Sequence, residues 1–213
     1  MQNRELEQVR AVMLAKNYPF FEKNDFNLNL IAVREDDIFD NKFSDTLHVP
    51  YKENGIWKML TIKWTTLAGT LGYGGEQSPL TGERTGTGVS GTAVIKEGQY
   101  PKGLKYESAG TRYPFIEYLR QNNPYAYYRD NDKNGIISRN STQQNGNFLT
   151  HWHAMSNGED TVFVNSNGAA WSQGCMGTPA PTFFYQLMPI VRKAVKLWGA
   201  EFTPTILHKK DFL

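Results

Sequence analysis

Trp171-Ser172-Gln173-Gly174-Cys175-Met176-Gly177 holds the only cysteine in a chain of 213 residues, set among small and polar side chains. Upstream of it stands His151-Trp152-His153. An imidazole within hydrogen-bond reach can turn a weak thiol into a thiolate, so two histidines followed by one cysteine are the residue types of a nucleophile with its base. In a strand, residues two apart share a face, so His151 and His153 are expected to project together toward Cys175. The N–H groups of a tight Gln173-Gly174-Cys175 turn are natural donors to a developing oxyanion. Gly174 admits close backbone approach, and Ser172 orients its neighbours or closes the turn. This is the logic of acyl transfer through a thioester. Two other readings stand beside it. In one, Cys175 is a small buried side chain and the histidines only pack. In the other, His151, His153 and Cys175 hold zinc with His48 or His208, although no second Cys and no His-Glu-x-x-His pattern accompanies them.

Composition narrows the classes. Lys and Arg number 23 against 21 Asp and Glu, a net charge of +2, and they are scattered, which denies nucleic acid its electrostatic footprint. A lone Cys forms no internal disulfide, so packing must hold the fold. The N-terminus is polar and no apolar h-region follows it, and no stretch has the length of a membrane span. The expectation is a protein made in the cytoplasm without a signal peptide, with no membrane partner, no cofactor and no metal assigned to the site. The 11 Tyr, 12 Phe, 5 Trp, 19 Gly and 10 Pro favour strands and turns over a helical bundle. One domain, 1–213, of α+β class and mainly β, is the default.

Along the chain, Leu6, Val9, Val12, Met13 and Ala15 predict an amphipathic helix that ends before Asn17-Tyr18-Pro19, so residues 1–17 form an N-terminal helix. Residues 28–33 and 46–51 read as strands, and Glu53-Asn54-Gly55 as a turn into a further strand over 56–65, a hairpin. Residues 69–91 shift to Gly, Thr, Ser and Glu and read as a long exposed loop. Strand signals return at 92–95 and 125–129, broken by Gly98-Gln99-Tyr100-Pro101, while residues 114–120 fit a helix or a strand equally. Asp130-Asn131-Asp132-Lys133-Asn134-Gly135 opens like a calcium loop, but Ser141 stands where a bidentate Glu is needed, which favours a polar turn. Residues 148–155 and 161–164 read as strands around Asn157-Gly158. Phe183, Phe184, Leu187, Met188, Val191, Val195 and Trp198 predict a helix over 182–198, with Pro189 as a kink and Gly199 as a stop. A last strand covers 203–208.

Ser172-Gln173-Gly174-Cys175 after a strand histidine resembles the Ser-His-Gly-Cys signature of the L,D-transpeptidase catalytic domain, the YkuD-like family. It is similar above all to a phage and prophage branch whose cysteine lies in Trp-Ser-Ala-Gly-Cys. Outlying pieces resemble that branch as well: Tyr18-Pro19-Phe20-Phe21, Asn27-Leu28-Asn29-Leu30, Phe43-Ser44-Asp45-Thr46, Thr65-Thr66 with Gly69-Thr70, Gly91-Thr92-Ala93, Gly98-Gln99-Tyr100 and Tyr128-Arg129-Asp130-Asn131-Asp132. The resemblance implies a YkuD-like β-sandwich or barrel, a β-rich core over 18–177 flanked by the N- and C-terminal helices, and a thiol acting on peptidoglycan stem peptides. It makes Cys175 the nucleophile, His153 or His151 the base, and Ser172 and Gly174 the turn, with Trp171, Gln173 and Trp152 at the substrate. His153 is favoured because His-Ala-Met leads directly into the loop toward the cysteine. Gln173 stands where the commoner signature has a second His, and Met176-Gly177 where an Arg often follows. With no leader in view, a phage lysis enzyme or a delivered toxin, acting in the periplasm or cell wall after release, fits better than a housekeeping enzyme. The alternatives are a catalytically inactive YkuD-like binding or phage structural module and a zinc-dependent hydrolase.

Overall fold

A computed structural model of the chain describes residues 2–40, 42–67, 92–108, 116–129, 134–140, 143–157, 172 and 174–213. Helix α1 (Gln2–Ala15) precedes β1 (Leu30–Arg34), β2 (Asp45–Glu53) and β3 (Ile56–Trp64). Then come β4 (Ala93–Ile95), β5 (Gly98–Gln99), β6 (Leu104–Glu107), β7 (Tyr118–Gln121), β8 (Tyr125–Arg129), β9 (Gln144–Gly146), β10 (Trp152–Ser156) and β11 (Met176–Pro179). The chain ends in α2 (Ala180–Thr182), a π-helical turn (Phe183–Leu187), α3 (Met188–Trp198), β12 (Glu201–Phe202), β13 (Pro204–His208) and a 3-10 turn (Lys209–Phe212).

Three open sheets result, in the orders β3-β2-β1-β13-β5, β11-β10-β7-β6-β12 and β4-β8-β9. The class is mixed α and β, mainly β, and the sheets do not close into a barrel. In the first sheet β1 is central and covered on both faces, which is why every residue of Leu30-Ile31-Ala32-Val33-Arg34 is buried. Ile31 and Val33 face Val9, Val12 and Met13 of α1, whereas Leu30 and Ala32 face the main core. The β2–β3 hairpin turns through Asn54 and Gly55, both at positive φ, and pairs from Asp45↔Trp64 to Glu53↔Ile56. The main core fills the space between Leu47, Ile62 and Trp64 of the first sheet, Leu104, Leu119, Trp152 and Met176 of the second, and Phe183, Leu187, Met188 and Val191 of the C-terminal helix.

Several expectations change. Residues 98–101 do not only break the chain: Gly98 and Gln99 pair with Ile206 and Thr205. The undecided segment 114–120 yields a strand from Tyr118, because it meets β6 on one side and β10 on the other. The helix expected over 182–198 begins at Ala180 and passes through a π turn just before Pro189, whose missing N–H and ring crowding disfavour ordinary helical bonding one turn back. The strand expected from 148 begins only at Trp152. The loop 69–91, the strand 161–164 and residues 130–133 and 141 of the calcium-like segment lie outside the described residues.

The second sheet is tied to the end of β3 by backbone bonds. Thr65, just past β3, forms a bridge with Gly177: its N–H donates to the Gly177 carbonyl at 2.8 Å and its carbonyl accepts from Gly177 at 3.2 Å. A Cβ on Gly177 would fall 1.9 Å from the His153 carbonyl oxygen, so only glycine lets β11 lie this close to β10. Gly177→Ala is expected to cost about 3 kcal/mol or more in denaturant unfolding, at or beyond the upper end of ordinary overpacking. A wild-type midpoint would contradict this pairing.

Candidate active site

Strands β10 and β11 run parallel, with Trp152 opposite Met176, His153 opposite Gly177 and Ala154 opposite Thr178. This register brings the cysteine turn alongside the histidines, since Cys175 immediately precedes β11 and His151 immediately precedes β10. The Met176 N–H donates to the His151 carbonyl at 2.9 Å. The thiol is held by main chain: Cys175 Sγ accepts from the His151 N–H at 3.4 Å and donates to the Leu149 carbonyl at 3.7 Å. Its apolar neighbours are Phe43 and Met155.

In the turn before it, Ser172 and Gly174 both have structural parts. The Ser172 hydroxyl accepts from the Gly174 N–H at 3.2 Å and donates to the Cys175 carbonyl at 3.3 Å, closing the turn. Gly174 has φ +130°, and a Cβ there would meet the Ala93 carbonyl oxygen at 2.5 Å. Packing against β4, the strand that stands behind the turn, therefore requires glycine here. Trp171 and Gln173 lie outside the described residues. Trp152, expected at the substrate, is 0 % exposed and meets Trp64 edge-on at 5.1 Å, so among the described residues it is a core residue and not a substrate surface.

The two histidines are given different tautomers by the backbone. His153 Nδ1 lies 2.7 Å from the Ala154 carbonyl, which can only accept, so Nδ1 carries the proton and Nε2 the lone pair. His151 Nδ1 accepts from the Gln121 N–H at 3.2 Å, so in its neutral form the proton sits on Nε2. Burial pushes both imidazoles down to about 4, His151 also through the nearby His153 and Arg120, so both are neutral at pH 7. Burial pushes the Cys175 thiol up to about 11, against the opposing effects of the His151 N–H and Ser172. Burial thus favours a neutral thiol over a thiolate–imidazolium pair at rest.

The residues that position this loop were not singled out from sequence. Gln121, 0 % exposed at the end of β7, Tyr127 of β8 and Thr150 form a hydrogen-bonded group under the 148–151 segment. A buried Gln in a strand with no motif around it carries no local signal. The other two histidines do not join the site. His48 of β2 lies 3.2 Å from the Thr61 hydroxyl and 3.5 Å from Glu5 of α1, and His208 accepts from the Lys210 N–H at 3.0 Å. Among the described residues no three His, Cys, Asp or Glu side chains gather as a metal site requires. None of their helices is long and apolar enough to cross a membrane. No protein-family model matches the chain, and no curated protein or solved structure matches it.

The depressed imidazoles make stability pH-dependent. In the unfolded chain a His takes up a proton near pH 6.5, whereas His48, His151 and His153 stay neutral down to about 4 in the fold. The unfolded state binds more protons in that window, so stability present at pH 7 is lost as pH falls from about 6.5 to about 4. Thermal melts from pH 8 to pH 4 are expected to show a falling midpoint, with a shallower fall in His153→Gln. Equal slopes would show that His153 is not buried neutral.

Proposed function

We propose that the protein is a peptidoglycan-active cysteine enzyme of L,D-transpeptidase type, acting on stem-peptide bonds through a thioester. The observation that carries this reading is the parallel register of β10 and β11, with His153 opposite Gly177 and the Cys175 sulfur on the His151 N–H. It joins the Ser172-Gln173-Gly174-Cys175 turn to a histidine whose neutral tautomer leaves a basic Nε2. The thiolate is scarce at rest, so deprotonation accompanies attack: the Cys175 proton passes to His153 Nε2 as the sulfur bonds to the stem-peptide carbonyl carbon. The C–N bond then breaks, the imidazolium protonates the leaving amine, and an acyl thioester forms on Cys175. An incoming amine gives a new amide cross-link; water gives a free acid. The His151 Nε2–H is a donor for the substrate or its oxyanion and not a base.

Peptidoglycan as partner, the YkuD-like fold and action in the cell wall after release or delivery belong to this proposal and rest on the motif pieces spread over residues 18–177. A second reading is favoured by one observation: a neutral thiol held by the His151 N–H, the Leu149 carbonyl and Ser172 suits an inactive binding or phage structural module of the same ancestry.

Purified protein is expected to split or exchange stem peptides in muropeptide mixtures followed by mass spectrometry, and Cys175→Ala to abolish this. His153→Ala is expected to lower the rate by about 10² or more, the range of a lost general base, and His151→Ala by less. If wild type and Cys175→Ala behave alike on every such substrate, the enzyme reading fails and the module reading stands.

A further inference from the structure

We propose that Gln121 is the positioning residue of this site: its buried carboxamide fixes the 148–151 segment whose main chain holds the Cys175 thiol. Both ends of the carboxamide are engaged, and the donors around Oε1, more than its two lone pairs hold at once, share it. Nε2 donates to the Asn123 and Gly146 carbonyls, each at 3.1 Å. Oε1 accepts from the Phe148 N–H, the Thr150 N–H and the Thr150 hydroxyl at 3.1 Å each, and from the Tyr127 hydroxyl at 3.0 Å. The amide orientation is unambiguous, because turning it over would set donors against two backbone N–H groups and an acceptor against two carbonyls.

Clamping Phe148 and Thr150 from one side forces the residue between them. Leu149 takes φ 58°, a left-handed conformation that costs a residue with a Cβ about 1 kcal/mol or more, and its side chain is turned outward. The same conformation aims its carbonyl at Cys175 Sγ, and two residues after it the His151 N–H points at the same atom. The carbonyl favours the protonated thiol; the N–H favours the anion. The Gln121 main-chain N–H meanwhile fixes the ring of His151. One residue thus sets both groups on the sulfur and the tautomer of the neighbouring imidazole. Among the described residues, the titratable and charged groups around the thiol are His151 just before β10, His153 on β10, Tyr127 of β8, and Arg120 of β7 beyond His151.

The inference deepens the cysteine-enzyme reading and depends on it only for its catalytic consequence, so the test needs no turnover. Cys175, the sole thiol, is alkylated with iodoacetamide across pH 6–11 in wild type and in Gln121→Met, which keeps the volume and loses the bonds. Cys175 is half-buried, and release of the segment frees the sulfur from the Leu149 carbonyl and opens it further to water, so the alkylation midpoint is expected to fall by about one to two pH units and the rate at pH 8 to rise about tenfold or more. Tyr127→Phe and Thr150→Val, each removing one hydroxyl from Oε1, are expected to shift it the same way by less. They keep the test open if Gln121→Met does not fold. Val191→Ala, destabilising the core away from the site, is expected to leave the midpoint unmoved. Midpoints unchanged in the folded Gln121, Tyr127 and Thr150 variants overturn the proposal, as does an equal shift in Val191→Ala. A shift in these variants of a protein inert on muropeptides supports the positioning role and refutes the cell-wall reading alone.

Discussion

Everything around the thiol depends on the parallel pairing of β10 with β11. Parallel neighbours need a long crossover, and here the crossover carries the chain from Ser156 to Met176 so that the cysteine turn arrives beside the histidines it follows in sequence. The pairing is pinned on both sides. Gly177 lies against the His153 carbonyl with no room for a side chain, and Thr65 bonds the same glycine from the end of β3. The Thr178 hydroxyl adds a bond to the Lys63 carbonyl at 2.7 Å. The register that brings Cys175 to the His151 N–H is therefore set by two sheets at once, and a shift of one residue would turn each side chain of β11 to the opposite face.

The site so built differs from a pair of interacting side chains. Backbone groups hold the sulfur, from the His151 N–H and the Leu149 carbonyl, and backbone groups dictate which ring nitrogen of each histidine holds its proton. Desolvation outweighs every other influence on the three titrating groups and leaves all of them neutral. In the proposed reaction, catalysis from such a state would rely on proton transfer during attack. The division of labour follows from geometry: His153 has a basic nitrogen and His151 has a donor.

Much of this was legible in the residues. Asn54-Gly55 between two alternating runs marks a hairpin, the 3.6-residue spacing of Leu6, Val9 and Met13 marks α1, and the continuous apolar run of β1 marks a strand covered on both faces. The sequence expected the His pair near Cys175, and the structure brings the His151 main chain to the sulfur. The alternation of His151-Trp152-His153 also held more than was drawn from it, since a strand that turns His153 toward the cysteine must turn Trp152 into the core. Other features have no local signal. Leu149 is left-handed because Gln121, 28 positions earlier, clamps its neighbours, and that removes His151 from the strand. Strands β5 and β7 are short and gain their identity from partners far along the chain, Thr205 and Ile206 for one and Trp152 for the other. The bend expected at Pro189 becomes a π turn because packing of Phe183, Leu187 and Val191 keeps the helix on the core.

The assignment of separate roles to the two histidines is the centre of the account, and ring tautomers report it directly. Long-range proton–nitrogen correlation spectra of the ¹⁵N-labelled protein at pH 7 are expected to show both imidazoles neutral, His153 protonated at Nδ1 and His151 at Nε2. Reversed tautomers, or a charged ring at either position, would contradict it.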